Sequence, residues 1–168
     1  MKKLNKYQII LKVILIYKKM DEKSIIDWIN NSNNTPKLIY DLRKKDNYIP
    51  TTSVCLNILK NELFDYVEMV VIYNMTYELE ENIMKSIEMF LKEDDKNISE
   101  LQYDIISIYI DAICHDDRFI QRIINIINYT NNEDLKNVLY FIIFDEENDR
   151  YYHMPNNIQS NYNDCNIS

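Results

Sequence analysis

His115 and Asp116 stand side by side in a stretch of helical character, and such a doublet is one way to hold a divalent metal for phosphate-ester hydrolysis. That chemistry also needs a His upstream and an Asp downstream. The only other His in the chain is His153, downstream in a polar segment. The doublet therefore reads as a charged helix end continued by Asp117. Cys114 and His153 can be drawn as nucleophile and base, but no thiol-protease motif surrounds them and no Gly supports an oxyanion turn. Cys114 reads instead as a buried structural thiol. Glu78, Glu80, Glu81, Glu88, Glu93, Asp94 and Asp95 supply carboxylates for acid–base work. Nothing in the pattern sets two of them across a cleft, so the run reads as a solvated helix face. Tyr66, Met69, Tyr73, Tyr77 and Met84 recur near helical spacing, which most often marks a core. The chain holds 14 Tyr, more than a core alone uses. Because Tyr and Met are enriched where proteins recognise one another, these five are the candidate partner-binding residues. No catalytic residue, metal ligand or cofactor is expected.

Composition supports that choice. The 168 residues include no Gly. Phosphate-cradling loops, dinucleotide fingerprints, the nucleophile elbow and the EF-hand loop all need Gly where backbone approaches closely or φ is positive, so none is present in standard form. A net charge of -8 argues against a nucleic-acid binder, which needs a basic face to displace counterions. The charge is uneven: residues 1–20 hold six Lys and no acid, which leaves about -14 on the remainder. That basic start is too short and too charged to span a bilayer, and Lys12 and the absent small-residue cleavage site oppose a signal peptide. No stable membrane insertion is expected. Cys55, Cys114 and Cys165 are widely spaced and odd in number, as in a reducing compartment.

The elements that position these residues read as helices throughout. Leu59, Leu63, Tyr66, Val67 and Val70 recur every three or four positions and predict one helix over about 53–73. Leu79, Ile83, Ile87, Phe90 and Leu91 predict another over 76–92. Three more follow, centred on Ile105 to Ala112, Ile120 to Ile127, and Leu135 to Ile143. Helices over 4–19, 22–31 and from Pro36 to about Lys45 precede them. Ser99 and Gln102 have capping-box spacing. Thr52 or Ser53, Thr76, Asp116 or Asp117, and Asn131 or Asn132 stand where N-caps belong. Without Gly, left-handed helix ends fall to Asn, and Asn74, Asn97 and Asn128 lie near such ends. The expected architecture is all-α: a basic N-terminal helix over 1–20, one bundle of six to eight helices over 22–144 with a central helix near 99–114, and a polar, disordered or loosely docked tail over 145–168. With 46% hydrophobic residues, a domain of this length buries roughly 70% of its unfolded surface without a staple.

The order of segments carries a resemblance. Ser24-Ile25-Ile26-Asp27-Trp28-Ile29 opens the body, followed by a helix with Ser53, Cys55, Leu56, Leu59, Phe64, Asp65 and Val67. Then come the acidic Glu80-Glu81-Asn82-Ile83-Met84, the helix begun by Asp104-Ile105-Ile106-Ser107, and the closing Leu135-Lys136-Asn137-Val138-Leu139-Tyr140. Over about 22–144 this resembles the poxvirus Bcl-2-like immune-evasion proteins, in particular their soluble, tail-anchor-free branch. The resemblance implies a Bcl-2-type bundle, no catalysis, and action in the host cell cytoplasm on host proteins of NF-κB and interferon signalling. In other members the targets are the amphipathic helices of pro-death proteins, and a homodimer is also within the family's range. Two departures matter. Relatives often carry small residues where this chain has Ile108, Tyr109 and Ile110, and a Trp-Gly pair where it has His115-Asp116-Asp117. Both point away from an open peptide groove, and the lack of a hydrophobic anchoring tail in this sequence points towards the signalling inhibitors.

Overall fold

The structure is a computed structural model that describes residues 20–31, 33–94 and 97–144. The expected N-terminal helix over 1–20 falls outside these residues but for Met20, which precedes the first helix. The expected tail over 145–168, with His153 and Cys165, also lies outside them, as does Asp95.

Among the described residues the chain forms eight α-helices and no strand. They are α1 (Glu22–Ile29), α2 (Lys37–Asp46), α3 (Thr52–Lys60), α4 (Phe64–Val71), α5 (Tyr77–Asp94), α6 (Glu100–Ile113), α7 (Asp117–Tyr129) and α8 (Glu133–Phe144). The all-α bundle expected from periodicity is the one observed. Helix α6 is central: it packs on α3, α4, α5 and α8 and buries Ile105, Ile106, Tyr109, Ile110 and Ile113. The most extensive interhelical packing joins α3 to α5. Helix α1 lies on α3, α2 on α4, and α7 on α8. One apolar core runs through all eight, with Tyr109 and Phe119 its largest fully enclosed side chains.

The helix expected over 53–73 is two helices. Its break is a Schellman turn: Leu63 N–H donates to Ile58 O at 3.0 Å and Glu62 N–H to Leu59 O at 3.3 Å. Glu62 takes φ 56°, the left-handed position usually given to Gly. Apolar periodicity continues across the break because both helices face the same core, which hid it. The other positive-φ residues are Asn47 at 52° and Asn74 at 45°. Asn74 was expected there. Asn128 instead lies inside α7, whose last turn ends on Thr130 in extended geometry. The cap of α3 is Thr51, accepting from Val54 N at 3.4 Å, where Thr52 or Ser53 was expected. Thr76, Asp116 and Asn132 cap α5, α7 and α8, and Ser99 with Gln102 closes a complete capping box on α6.

Candidate partner-binding corner

The five residues singled out by spacing separate into two groups. Met84 is fully enclosed and Tyr66 is 6% exposed, so both are core side chains with nothing to offer a partner in this conformation. They lie on the inward faces of α5 and α4, where helical spacing alone does not distinguish lining from presenting. Burial pushes the Tyr66 phenol above its ordinary pKa, and its hydroxyl has no hydrogen-bond partner. Met69 is half-buried against the same core.

Tyr73 and Tyr77 flank the connection between α4 and α5, a mostly exposed corner over residues 72–77. Ile72 caps α4 and is 65% exposed; Tyr77 opens α5 and is 55% exposed. The half-buried Tyr73 ring meets Tyr40 of α2 edge-on, centroids 6.2 Å apart. Lys44 stands over Tyr40 at 5.4 Å and hydrogen-bonds its hydroxyl at 3.2 Å. Arg118 stacks on Tyr77 with its guanidinium carbon 4.2 Å from the ring centre. Tyr77 and Arg118, stacked and exposed, are of the types enriched in interface hot spots.

Underneath the corner lies a residue that spacing did not single out. Arg43 is 4% exposed and sits in the apolar register of α2, beside Leu38, Ile39 and Leu42. Its guanidinium donates to the carbonyl of Val70, in the last turn of α4, and to the carbonyl of Asn74 at 2.6 Å. The end of a helix leaves carbonyls unpaired, and a cation there satisfies them and the helix dipole together. Burial lowers the Arg43 pKa, and the neighbouring Cys55 works in the other direction. The signal was available: a cation four residues after Ile39 interrupts an apolar stripe.

The acidic run of α5 is the solvated face its composition suggested only at Glu78 and Glu93, which are exposed. Glu80 is buried, with its Oε1 3.1 Å from His115 Nε2. Glu81 and Glu88, two turns apart, hold Arg122 of α7 at 2.7 Å and 2.6 Å. Glu93 pairs with Lys60 of α3. These carboxylates close seams between helices, which a single-helix reading does not see. One Arg on α7 facing two Glu two turns apart on α5 is the arrangement that marks them.

The residues weighed for chemistry are engaged elsewhere. Asp116 caps α7 through Arg118 N at 2.9 Å and holds the Arg118 side chain at Nε, 2.8 Å. Those two hydrogen bonds, the side chain's first, hold its carboxyl below the usual range, at about 2. His115 faces Glu80 rather than Asp116. Cys114 is buried, its Sγ 3.3 Å from the Asp111 carbonyl. Burial pushes the Cys55 thiol up to about 12, against the opposing influence of Tyr109 and Arg43. At neutral pH it is a thiol, not a nucleophilic thiolate. Among the described residues no three His, Cys, Asp or Glu side chains converge to hold a metal ion, and no helix is long and apolar enough to cross a membrane.

Two open depressions accompany the corner. One, of about 280 Å³, lies between α5 and α7 and is lined by Leu91, Arg122, Ile126 and Tyr129 among others. The other, of about 410 Å³, runs along the outer face of α3 between α1 and α5, with Ile26, Leu56 and Met89 as its apolar lining. Comparison of the chain with family models, with curated proteins and with solved structures gave no match.

Proposed function

We propose that this protein is a non-enzymatic helical virulence factor of the poxvirus Bcl-2-like kind. It binds host proteins in the cytoplasm of the infected cell and inhibits innate immune signalling at the level of NF-κB or interferon induction. The observation that carries the reading is how α3 to α6 use their apolar side chains. Val54, Ile58, Leu59, Val67, Leu79, Ile83, Ile105 and Tyr109 all enter one core around α6. Recognition is then left to the outer surface, where the 72–77 corner presents Ile72 and Tyr77. Surface binding of a signalling protein fits that distribution better than enclosure of a peptide. The test is a reporter assay in stimulated cells expressing the full chain: NF-κB or interferon-promoter output falls at least several-fold if the reading holds, and unchanged output on both reporters removes it.

A second reading keeps the bundle but has it sequester the amphipathic helices of pro-death proteins. The trough along α3 favours it, because Ile26, Leu56 and Met89 offer apolar contacts within about 410 Å³. Calorimetry with a panel of such peptides separates the two readings.

A further inference from the structure

We infer that residues 1–19 dock in cis on the trough along the outer face of α3, laying an apolar stripe against Ile26, Leu56 and Met89 and bringing their lysines to the acidic bundle. The inference goes beyond the reading above and holds whatever the bundle binds.

Four observations carry it. The first is the trough itself. It measures about 410 Å³, and its apolar lining comes from three helices: Ile26 of α1, Leu56 of α3 and Met89 of α5. Met89 is 46% exposed, although Phe90 and Leu91 beside it are buried. The second is the tether. Residues 1–19 lie outside the described residues and join them at Met20, two residues before α1 begins. Ile26, which forms one wall of the trough, stands four residues after Glu22, about 6 Å along the helix axis. Nineteen residues span about 28 Å as a helix, against about 13 Å for the nine residues of α3. The segment is therefore long enough to turn back and run the length of the trough. A tethered segment meets its site at an effective concentration on the order of millimolar, so one or two seated side chains suffice where a free peptide needs a full row.

The third observation is the pattern of the segment. Ile9, Val13, Ile16 and Met20 follow one another at steps of four, three and four, which places them on one helical face. Lys18 falls opposite that face, and Lys12 and Lys19 fall on its flanks. Met20, the one described member of the stripe, is half-buried against the core. The end of the stripe is thus already seated on the bundle. The fourth is charge. Residues 1–20 hold six Lys and no acid, against about -14 on the remainder. On α1, Glu22 stands one turn before Ile26 on the same face and Asp27 adjoins it, and both carboxylates are exposed. A membrane surface is the other home of a basic amphipathic segment, but it would bring the acidic bundle up to anionic headgroups. Docking in cis sets opposite charges together instead.

The full chain carries the test. Photoreactive benzoylphenylalanine replaces Met89, and the adducts formed on irradiation are mapped by mass spectrometry. Position 89 joins residues 9–16 of its own chain, at a yield that dilution does not change. Val13→Asp combined with Ile16→Asp lowers that yield at least roughly fivefold by removing the stripe. The same probe in place of Phe141, 70% exposed on α8, gives no adduct with 9–16. If the Met89 variant does not fold, Ser53, exposed in the same trough, takes the probe with the same outcomes. Equal capture from the trough and from position 141, capture unchanged by the Asp pair, or no adduct within 1–19 overturns the docking. An adduct that joins two chains and fades on dilution gives the trough to a second copy. Loss of the adduct while the chain sediments with phosphatidylserine–phosphatidylcholine vesicles gives the segment to a membrane. Each of these last two results overturns the proposal as well.

Discussion

Tyr66 shows how one side chain can look like a site and act as structure. It lies on α4 at 6% exposure with its hydroxyl unpartnered, and burial raises its pKa. A buried hydroxyl without a partner loses its water and recovers little in return. Tyr66→Phe removes that group and preserves the ring, so the variant is expected to be as stable as wild type or more stable by about 1 kcal/mol in urea unfolding. It is also expected to leave reporter repression unchanged. A loss of repression in a folded Tyr66→Phe protein would return Tyr66 to the list of contact residues. Arg43 makes the opposite point. It is a charged residue that looks like surface and is interior, and its worth lies in the two carbonyls it holds.

At the scale of the elements, a chain without Gly must end its helices by other means. Asn47 and Asn74 use the tolerance of Asn for positive φ, but Glu62, between α3 and α4, has no such side-chain compensation. Glu62→Gly is expected to raise stability by about 0.5–1 kcal/mol, the relief of the left-handed strain less the added freedom of the unfolded chain. A drop in the denaturation midpoint would show that Glu62 contributes something its backbone does not reveal. The start of α7 carries a pH dependence. Asp116 titrates at about 2 when folded because Arg118 donates to it, whereas an unstructured Asp titrates near 4. A depressed folded pKa supplies stability that is complete above about pH 4 and is lost as pH falls through about 2. Asp116→Asn keeps a cap acceptor without the charge. Its melting temperature should therefore lie below that of wild type at pH 5 and match it near pH 2, and an equal gap at both values would discard the ion pair as the cause. How far these elements were legible follows the same physics. Helix type and the Ser99–Gln102 box were readable because period and capping are local. The break at 61–63 was not, since two helices facing one core keep one apolar rhythm. Type and spacing put Tyr77 and Met84 in one group of candidates, whereas Tyr77 is 55% exposed and Met84, on the same helix, is core. Only the packing of α5 against its neighbours tells them apart.

At the scale of the whole molecule the question is which surface is shaped to bind. The core is continuous from α1 to α8, and α5 is stitched to α7 by Arg122 between Glu81 and Glu88. Beside α3 runs the trough lined by Ile26, Leu56 and Met89. A nine-residue helix rises about 13 Å, some two and a half turns. Helix-in-groove recognition reads anchors at i, i+3 or i+4, and i+7 on the incoming helix, so it needs a row of pockets about that long lined by apolar groups throughout. Here Thr52, Ser53, Asn57 and Lys60 interrupt the row. The Asn30–Asn57 pair, at 2.9 and 3.3 Å, links α1 to α3 along one wall, and Lys60 pairs with Glu93 across the end. The trough therefore offers three apolar contacts in a polar frame, enough for a side chain or two and not for a full helical face. Titration calorimetry of the full chain with amphipathic pro-death helices is expected to give no measurable heat at micromolar concentrations. Submicromolar binding that Leu56→Asp abolishes, with Ile72→Ser having no effect, would place recognition in the trough and displace the signalling reading in favour of sequestration. Binding lost on Ile72→Ser instead would keep it at the corner, where Ile72 is exposed and Tyr77 carries the stacked Arg118.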